Sequence, residues 1–167
     1  FEVVAKDNSA AESVGNVTAQ VSVTPVNDIP TLSSFTAVID TTNEDTEVEL
    51  TLAELKAQGD EADVDGTVDA FIVKSITSGT LKIGATAGTA SAWAAGTNDT
   101  IDATNNAYWT PALDANGTLN AFEVVAKDNS AAESVGNVTA QVSVTPVNDI
   151  PTLSSFTAVI DTTNEDT

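Results

Sequence analysis

The sequence predicts an all-β protein, organised as an antiparallel β-sandwich in tandem repeats joined end to end, and two observations carry this prediction. Residues 1–46 reappear letter for letter as residues 122–167, so the chain is a window on an array with a period of 121 residues. That period is the size of a domain with its own core rather than of a short solenoid unit. Short apolar runs between loops rich in Gly, Asn, Asp and Thr indicate about six to eight strands in one period, which is typical of a sandwich.

Strand periodicity is clearest at 138–144, where Val or Ala alternates with Thr, Gln or Ser, as a half-buried strand requires. Its copy near the N-terminus, at 17–24, has the same pattern. Further strands are predicted at 35–40, 47–52, 68–76, 80–84, 107–110 and 119–126. One short helical turn is expected at 52–58, closed by Gly59.

Two prolines mark the boundary of the repeat. Pro25 and Pro30 bracket a short polar segment and recur as Pro146 and Pro151. Because proline cannot continue a strand ladder, this segment is interpreted as a stiff linker between domains. The predicted organisation is therefore the tail of a preceding repeat at 1–30, one complete repeat at 31–149 and the start of a following repeat at 150–167.

Composition narrows the class of partner. The chain has 25 Asp and Glu against 5 Lys, with no Arg, His, Cys or Met, and a formal net charge of −20. Nucleic acid and anionic membrane surfaces are poor partners for such a chain, since phosphate contacts require cations. Because the sequence has no Cys and no His, it excludes disulfides, thiolate metal sites and a histidine general base. No apolar run is long enough to span a membrane.

Counting strand reversals sorts the acidic loops between two ends of the domain. If the linker at 25–30 marks the upper end and strand 35–40 runs downward, the loop at 43–46 lies at the lower end. The segment 47–58 then returns to the upper end, where Asp60 and Glu61 follow it. Strand 119–126 also rises towards this end and brings Asn129 there. The upper end thus collects Asn27, Asp28, Asp63, Asp65 and Asp128.

By the same argument the lower end collects Glu44 and Asp45 beside Asn148 and Asp149 of the next linker. Clustered carboxylates repel one another unless a hard cation lies among them, and Ca²⁺ accepts about six to eight oxygen ligands in flexible geometry. The alternative is that acidic loops only solvate the surface. The clustering together with the charge imbalance favours a calcium site at each linker.

Four short motifs mark the linkers and loops of the repeat: VNDIP at each linker, NEDT after the first strand, DVDG before the next and VVAKD before the last. Together they resemble the cadherin-like or immunoglobulin-like tandem repeats of giant bacterial adhesins of the RTX type. In cadherins, related motifs share calcium ions between consecutive domains. The resemblance implies ligand roles for Asn27, Asp28, Asp63, Asp65 and Asp128, and for Glu44 at the following linker. The chain lacks the Asp-Arg-Glu motif of cadherins and the glycine-rich nonapeptide of RTX proteins.

A spacer function follows from a domain that the chain enters at one end and leaves at the other. Acidic loops that face each other across a linker repel, and bound Ca²⁺ stiffens the joint. We expect a calcium-rigidified extender that projects the ligand-binding domains of an adhesin away from a cell, with adjacent repeats as its partners. The resemblance implies an extracellular location on a bacterial surface, reached by type I secretion.

The alternative function is an adhesive repeat that itself binds glycan, peptide or another copy. Exposed aromatics at Trp93, Tyr108 and Trp109 would favour it, whereas we expect these side chains to cap the core. An enzyme is not predicted, because the carboxylates are expected at the domain ends rather than in a pocket.

Residues 1–24 duplicate the last two strands of the complete repeat. We expect 122–145 to close the sandwich in the ordinary order. Residues 1–24 are then expected to pair with a neighbouring fragment or protomer, which would permit strand exchange between chains.

Overall fold

The computed structural model describes residues 1–158, 160–163 and 165, so four positions of the segment 150–167 lie outside the described residues. In this part of the chain the strands are β1 (Glu2–Val3), β2 (Val17–Thr18), β3 (Asp40–Asn43), β4 (Val48–Leu50), β5 (Val68–Ile76), β6 (Thr80–Gly84), β7 (Ser91–Ala92), β8 (Thr100–Ile101), β9 (Asn106–Thr110), β10 (Gly117–Asp128) and β11 (Val138–Thr145). One helix, α1 (Leu52–Gln58), follows β4. The predicted all-β class with one short helix is confirmed.

The larger sheet has five strands in the order β3-β11-β10-β5-β8. Its longest strand, β10, pairs antiparallel with β11 on one side and with β5 on the other. The register of β10 against β11 shifts between Asn120 and Phe122, and this bulge buries both Ala121 and Phe122.

One pair in the larger sheet departs from the predicted antiparallel arrangement. β3 runs parallel to β11, with Asp40 beside Val142 and Asn43 beside Thr145. Both strands run towards the same end of the domain, because β3 comes soon after the first linker and β11 leads directly into the second. The sheet is therefore mixed, and the chain enters and leaves it in one direction.

The smaller sheet has four strands in the order β4-β9-β6-β7, all paired antiparallel. One hydrophobic cluster takes side chains from both sheets, including Leu50, Phe71, Trp109 and Phe122, which are all fully buried. Burial of each such side chain stabilises the fold by about 1.5–3 kcal/mol.

Helix α1 has a capping box that explains where it begins. The Thr51 hydroxyl accepts a 3.2 Å hydrogen bond from the Glu54 N–H, and the Glu54 carboxylate accepts a 2.7 Å hydrogen bond from the Thr51 N–H. Two N–H groups that the helix leaves free are thereby satisfied. Leu55 buries the inner face of the helix in the shared core.

The predicted elements match the observed ones to different degrees. Strands 68–76 and 80–84 and the helix at 52–58 have the predicted bounds. The strand predicted at 35–40 was wrong, because the ladder with β11 spans only Asp40–Asn43, and Phe35 instead makes a single bridge to Gly59. β7 and β8 were not predicted.

The two copies of the duplicated segment have different environments. Residues 122–145 contribute β10 and β11 to the larger sheet, as predicted. In the first copy, β1 and β2 pair only with each other in a small separate sheet, and Phe1, Val21 and Val23 are exposed. Their equivalents in the second copy are buried in the shared core.

Candidate functional site

Strand directions define two ends of the domain. Asp128 at the end of β10 lies opposite Val68 at the start of β5, and we call this the upper end. β3 and β11 finish side by side at the other end, which we call the lower end. The loop at 59–67 therefore lies beside the loop at 129–137 at the upper end.

At the upper end the first linker is hydrogen-bonded directly to these loops. The Asn27 side-chain amide donates to Asp128 Oδ2 at 2.8 Å, and the Asp28 N–H donates to Asp65 Oδ1 at 3.2 Å. Asp63 lies in the same turn as Asp65 and accepts a weak hydrogen bond of 3.4 Å from the Asp65 N–H. The structure thus brings together the five residues that strand counting assigned to this end.

Asp128 is buried, and several donors surround its carboxylate. Besides Asn27, the N–H groups of Ser130 and Ala132 donate to Oδ1 at 2.9 and 2.7 Å. The Asn27 bond, followed by these backbone bonds, lowers the pKa of Asp128 below its ordinary value, against an opposing effect of desolvation. The carboxylate is therefore held in its ionised form next to the linker.

The turn around Asp128 is encoded locally, whereas its bond to the linker is not. Asp7, the same position in the first copy, accepts hydrogen bonds from Ser9 and Ala11 at 2.8 and 2.9 Å. The loop thus folds in the same way without the surrounding domain. The Asn27–Asp128 bond needs the complete domain, since it joins positions 101 residues apart.

A second group of oxygens lies beside Gly66. A Cβ at Gly66 would clash with Asn129 Oδ1 and would lie 2.6 Å from Asp63 Oδ2, so the absence of a side chain lets both oxygens approach. Asn129 Oδ1 accepts a 2.9 Å hydrogen bond from the Thr67 N–H. Asp63 Oδ2 is buried and has no hydrogen-bond partner among the described residues.

Glu61 is the other acid at the upper end with a buried oxygen, Oε2, that lacks a hydrogen-bond partner in the described part of the chain. Desolvation raises the pKa of its carboxyl group above the usual range. A Cβ at Gly59 would displace this oxygen and would lie 3.2 Å from the Leu55 carbonyl oxygen, so the absence of a side chain at Gly59 lets the Glu61 carboxylate take this position.

At the lower end Glu44 holds the second linker. Its carboxylate is buried and accepts hydrogen bonds from the Val147 N–H at 2.6 Å and from the Asn116 amide at 3.2 Å. Asp45 accepts a 3.2 Å hydrogen bond from the Asp114 N–H. These contacts join the loop after β3, the loop before β10 and the linker.

Asp114 is an exposed acid at the lower end that lies near three other carboxylates. Desolvation is the largest effect that raises the pKa of its carboxyl group, and the negative charges of Asp149, Asp45 and Glu44 add to it. Asp149 therefore lies within electrostatic range of the domain that precedes its linker. The Asn148 amide makes a local 3.0 Å bond to the Asp149 carbonyl.

Strand counting missed Asp114 and Asn116 at the lower end. The signal that could have located them was the predicted strand at 119–126: because it rises towards the upper end, the loop before it must lie at the lower end. Strand counting did place Glu61 and Asn129 at the upper end, but it did not include them among the candidate ligands.

The aromatic residues considered for a binding surface are packed into the domain. Trp109 is fully buried, and its indole N–H donates to the Ser78 carbonyl at 2.7 Å. Tyr108 is buried and donates to Glu49 at 2.8 Å. Trp93 is partly buried against the core, with a 3.1 Å bond to the Val73 carbonyl. These contacts agree with a structural role for all three side chains.

Among the residues described, no group of three or more His, Cys, Asp or Glu side chains has the arrangement of a metal site. The same part of the chain contains no helix that combines the length and the apolar character required to cross a membrane. Compared with known proteins, the chain matches no protein-family model and no curated protein sequence.

Proposed function

We propose that this chain is a calcium-rigidified extender repeat of a bacterial surface adhesin. Its fold would be an immunoglobulin- or cadherin-like sandwich, joined end to end and displayed outside the cell. The observation that carries the proposal is the contact of the linker with the acidic loops at the upper end, where Asn27 bonds Asp128 and Asp28 bonds Asp65. A joint of this composition changes stiffness when a cation binds.

The chemistry of the upper end fits a hard cation. Asp63 Oδ2 is a buried carboxylate oxygen without a hydrogen-bond partner among the described residues, and Asn129 Oδ1 approaches the same space beside Gly66. A buried unpaired carboxylate oxygen is costly, and coordination of a cation removes that cost. Carboxylate and amide oxygens are the ligands that Ca²⁺ prefers.

The Asn27 side chain can contribute to the joint both without a cation and with one bound. Its amide nitrogen donates to Asp128, and rotation of the amide group by 180° would present its oxygen at the same position. Such a rotation exchanges one hydrogen bond for one metal ligand. Asn27, Asp28, Asp63, Asp65 and Asp128 are the proposed calcium ligands at this end.

Repetition supplies ligands to each linker from both sides. The linker at 146–151 is identical to that at 25–30, so a following repeat would present the equivalents of Asp63, Asp65 and Asp128 to Asn148 and Asp149. The preceding repeat would present Glu44 and Asp45 to the same linker. With a net charge of −20, the two faces would repel each other without a cation and hold together with one.

The mechanical role follows from topology. The chain enters at the upper end and leaves at the lower end, and β10, with 12 residues, spans most of the distance between them. At about 3.3 Å per residue this strand alone is about 40 Å long, so each repeat would add a similar length to the array. Identical copies suit a part whose task is length and stiffness.

Thermal unfolding of the chain with chelator, with millimolar Ca²⁺ and with millimolar Mg²⁺ tests the proposal. Because Ca²⁺ would bind only the folded loops, we expect a rise in Tm that is specific to Ca²⁺. Asp63→Asn should reduce that rise. Glu123→Gln removes the same unit charge from the middle of β10 and should leave the rise intact.

Small-angle scattering of a chain extended by one 121-residue period tests the mechanical part. We expect a larger maximum dimension in Ca²⁺ than in chelator. Equal Tm values in Ca²⁺, Mg²⁺ and chelator, together with equal dimensions, would contradict the proposal and would mean that the acidic loops only solvate the surface.

A further inference from the structure

Large apolar side chains are exposed only at the two ends of the domain. Within residues 31–149, the large hydrophobic residues with high exposure are Val64 and Val135 in upper-end loops, Leu113 in a lower-end loop and Val147 in the second linker. None lies on the outer face of either sheet. Exposed apolar residues confined to the surfaces that face neighbouring repeats indicate a contact between those repeats.

The two copies of the linker show that each domain covers only the half of the linker next to it. Ile29, which precedes the complete domain, is 51% exposed, whereas Ile150, the same residue beyond that domain, is 87% exposed. Val147, which follows the complete domain, is 50% exposed, whereas Val26 is 81% exposed. A linker with complete domains on both sides would therefore have both valine and isoleucine partly covered.

The loops that carry the exposed apolar residues lie beside the linkers. At the upper end the Asp28 N–H is bonded to Asp65, which follows Val64 in the same loop. At the lower end the Val147 N–H and the Asn116 amide both donate to the Glu44 carboxylate, so the loop that carries Leu113 lies beside the second linker. Because the two linkers have the same sequence, Leu113 of one repeat and Val64 of the next lie in loops on either side of one linker.

The upper end also offers an apolar depression for a side chain. A shallow cavity of about 170 Å³ is lined by Ile29, Pro30, Leu32 and Val135 together with two polar neighbours. Val135 lines this depression, and Val64 immediately precedes Asp65, which accepts the hydrogen bond from Asp28 of the linker. We call Ile29, Val64 and Val135 the linker-facing patch.

We propose that Leu113 of each repeat packs against the linker-facing patch of the following repeat. The inference rests on the proposed tandem spacer. It adds an apolar contact to a joint whose other proposed contacts are made by carboxylates, amides and a cation. Such a contact opposes the repulsion between acidic ends and does not require a cation. It also restricts rotation about the linker, because it joins the two repeats at a second point.

Cysteine cross-linking in a chain extended by one 121-residue period tests the contact directly. The chain has no Cys, so an introduced pair is the only possible disulfide within one chain, and dimers linked between chains are separated by their mass. We expect Leu113→Cys in the first repeat to cross-link with Val64→Cys or Val135→Cys in the second, since a disulfide requires Cα atoms within about 7 Å. Leu113→Cys with Gln141→Cys, on the exposed face of β11, is the matched control.

Unfolding of Leu113→Ser supplies a second measurement. In the extended chain we expect the Tm of the second repeat to fall by a few degrees, both in Ca²⁺ and in chelator. In the 167-residue chain, where Leu113 is exposed, we expect no change.

The outcomes separate this inference from the proposed function. Cross-linking no greater than in the control, with no effect of Leu113→Ser in the extended chain, overturns the apolar contact even if Ca²⁺ still stiffens the array. Efficient cross-linking in a chain whose Tm and dimensions do not change with Ca²⁺ supports the contact and contradicts the calcium-dependent spacer.

Discussion

The side chain of Asn27 donates a 2.8 Å hydrogen bond to the carboxylate of Asp128, across 101 positions of sequence. One residue belongs to the linker and the other to the loop that follows the longest strand. The bond therefore ties the position of the linker to the fold of the domain, and it is the largest cause of the lowered Asp128 pKa.

We expect Asn27→Ala to raise the pKa of Asp128 towards its ordinary value. The bonds from Ser130 and Ala132 remain, so part of the lowering persists. A carboxylate with a lowered folded-state pKa contributes stability above its unfolded pKa and loses it as the pH falls through the folded value. The variant should thus be less stable near neutral pH and approach the parent in acid, as NMR titration and unfolding at several pH values will measure.

Asn148→Ala is the matched control for this prediction, because Asn148 occupies the same position in the second linker and its amide bonds the Asp149 carbonyl. It should leave the Asp128 pKa unchanged. An Asp128 pKa that is the same in the parent and in Asn27→Ala would contradict the assignment.

The duplicated strands provide a pair of identical residues in opposite environments. Val142 in β11 is fully buried and Val21 is exposed. We expect Val142→Asp to cost more than about 4 kcal/mol, since it buries an unpaired charge, and to unfold the domain. Val21→Asp should leave the free energy of unfolding nearly unchanged in chemical denaturation. The reverse result would mean that residues 1–24 fill the place of β10 and β11.

Asp114→Asn separates repulsion from metal binding at the lower end. The pKa of Asp114 is raised, so its protonated form favours folding at low pH, and that contribution is lost as the pH rises through the folded value. At neutral pH the substitution removes this penalty, and we expect a higher Tm than the parent in chelator. If Ca²⁺ is bound here, the rise that it causes should be smaller in the variant. A lower Tm in chelator would show that the carboxylate has a favourable contact instead.

Trp109 distinguishes a core role from a binding role for the aromatic residues. It is fully buried and bonded to the Ser78 carbonyl. We expect Trp109→Ala to destabilise the domain by about 3–5 kcal/mol, and Trp109→Phe by less, because Phe keeps an aromatic ring in the core although it loses part of the volume and the hydrogen bond. Denaturant titration will measure both. Near-normal stability of Trp109→Ala would be inconsistent with the packing described.

Much of the fold was predictable where the sequence pattern is local. Strand 68–76 and the helix at 52–58 have their own apolar spacing and end signals, and both formed at the predicted residues. β7 and β8 have two residues each and are defined only by their partners in β6 and β5. No periodicity of two residues can reveal such strands.

The candidate site shows the same division. Asn27 and Asp128 were assigned to one end by counting strand reversals, and they are in contact. Asp114 was missed although the same counting could have located it, because the loop before the rising strand 119–126 must lie at the lower end. The parallel pairing of β3 with β11, by contrast, depends on tertiary structure, since it joins strands about one hundred positions apart.

The parallel pairing of β3 with β11 determines how the domain would carry a load along the array. Tension along the array would pull Asp40 in β3 towards the upper end and Thr145 in β11 towards the lower end. The pulling direction would then lie along the strands, so the hydrogen bonds from the Ile39 N–H to Gln141 and from the Glu44 N–H to Thr145 would be strained together in shear. Bonds loaded in parallel resist more force than bonds that open one at a time, and the domain would therefore break abruptly at high force rather than peel apart.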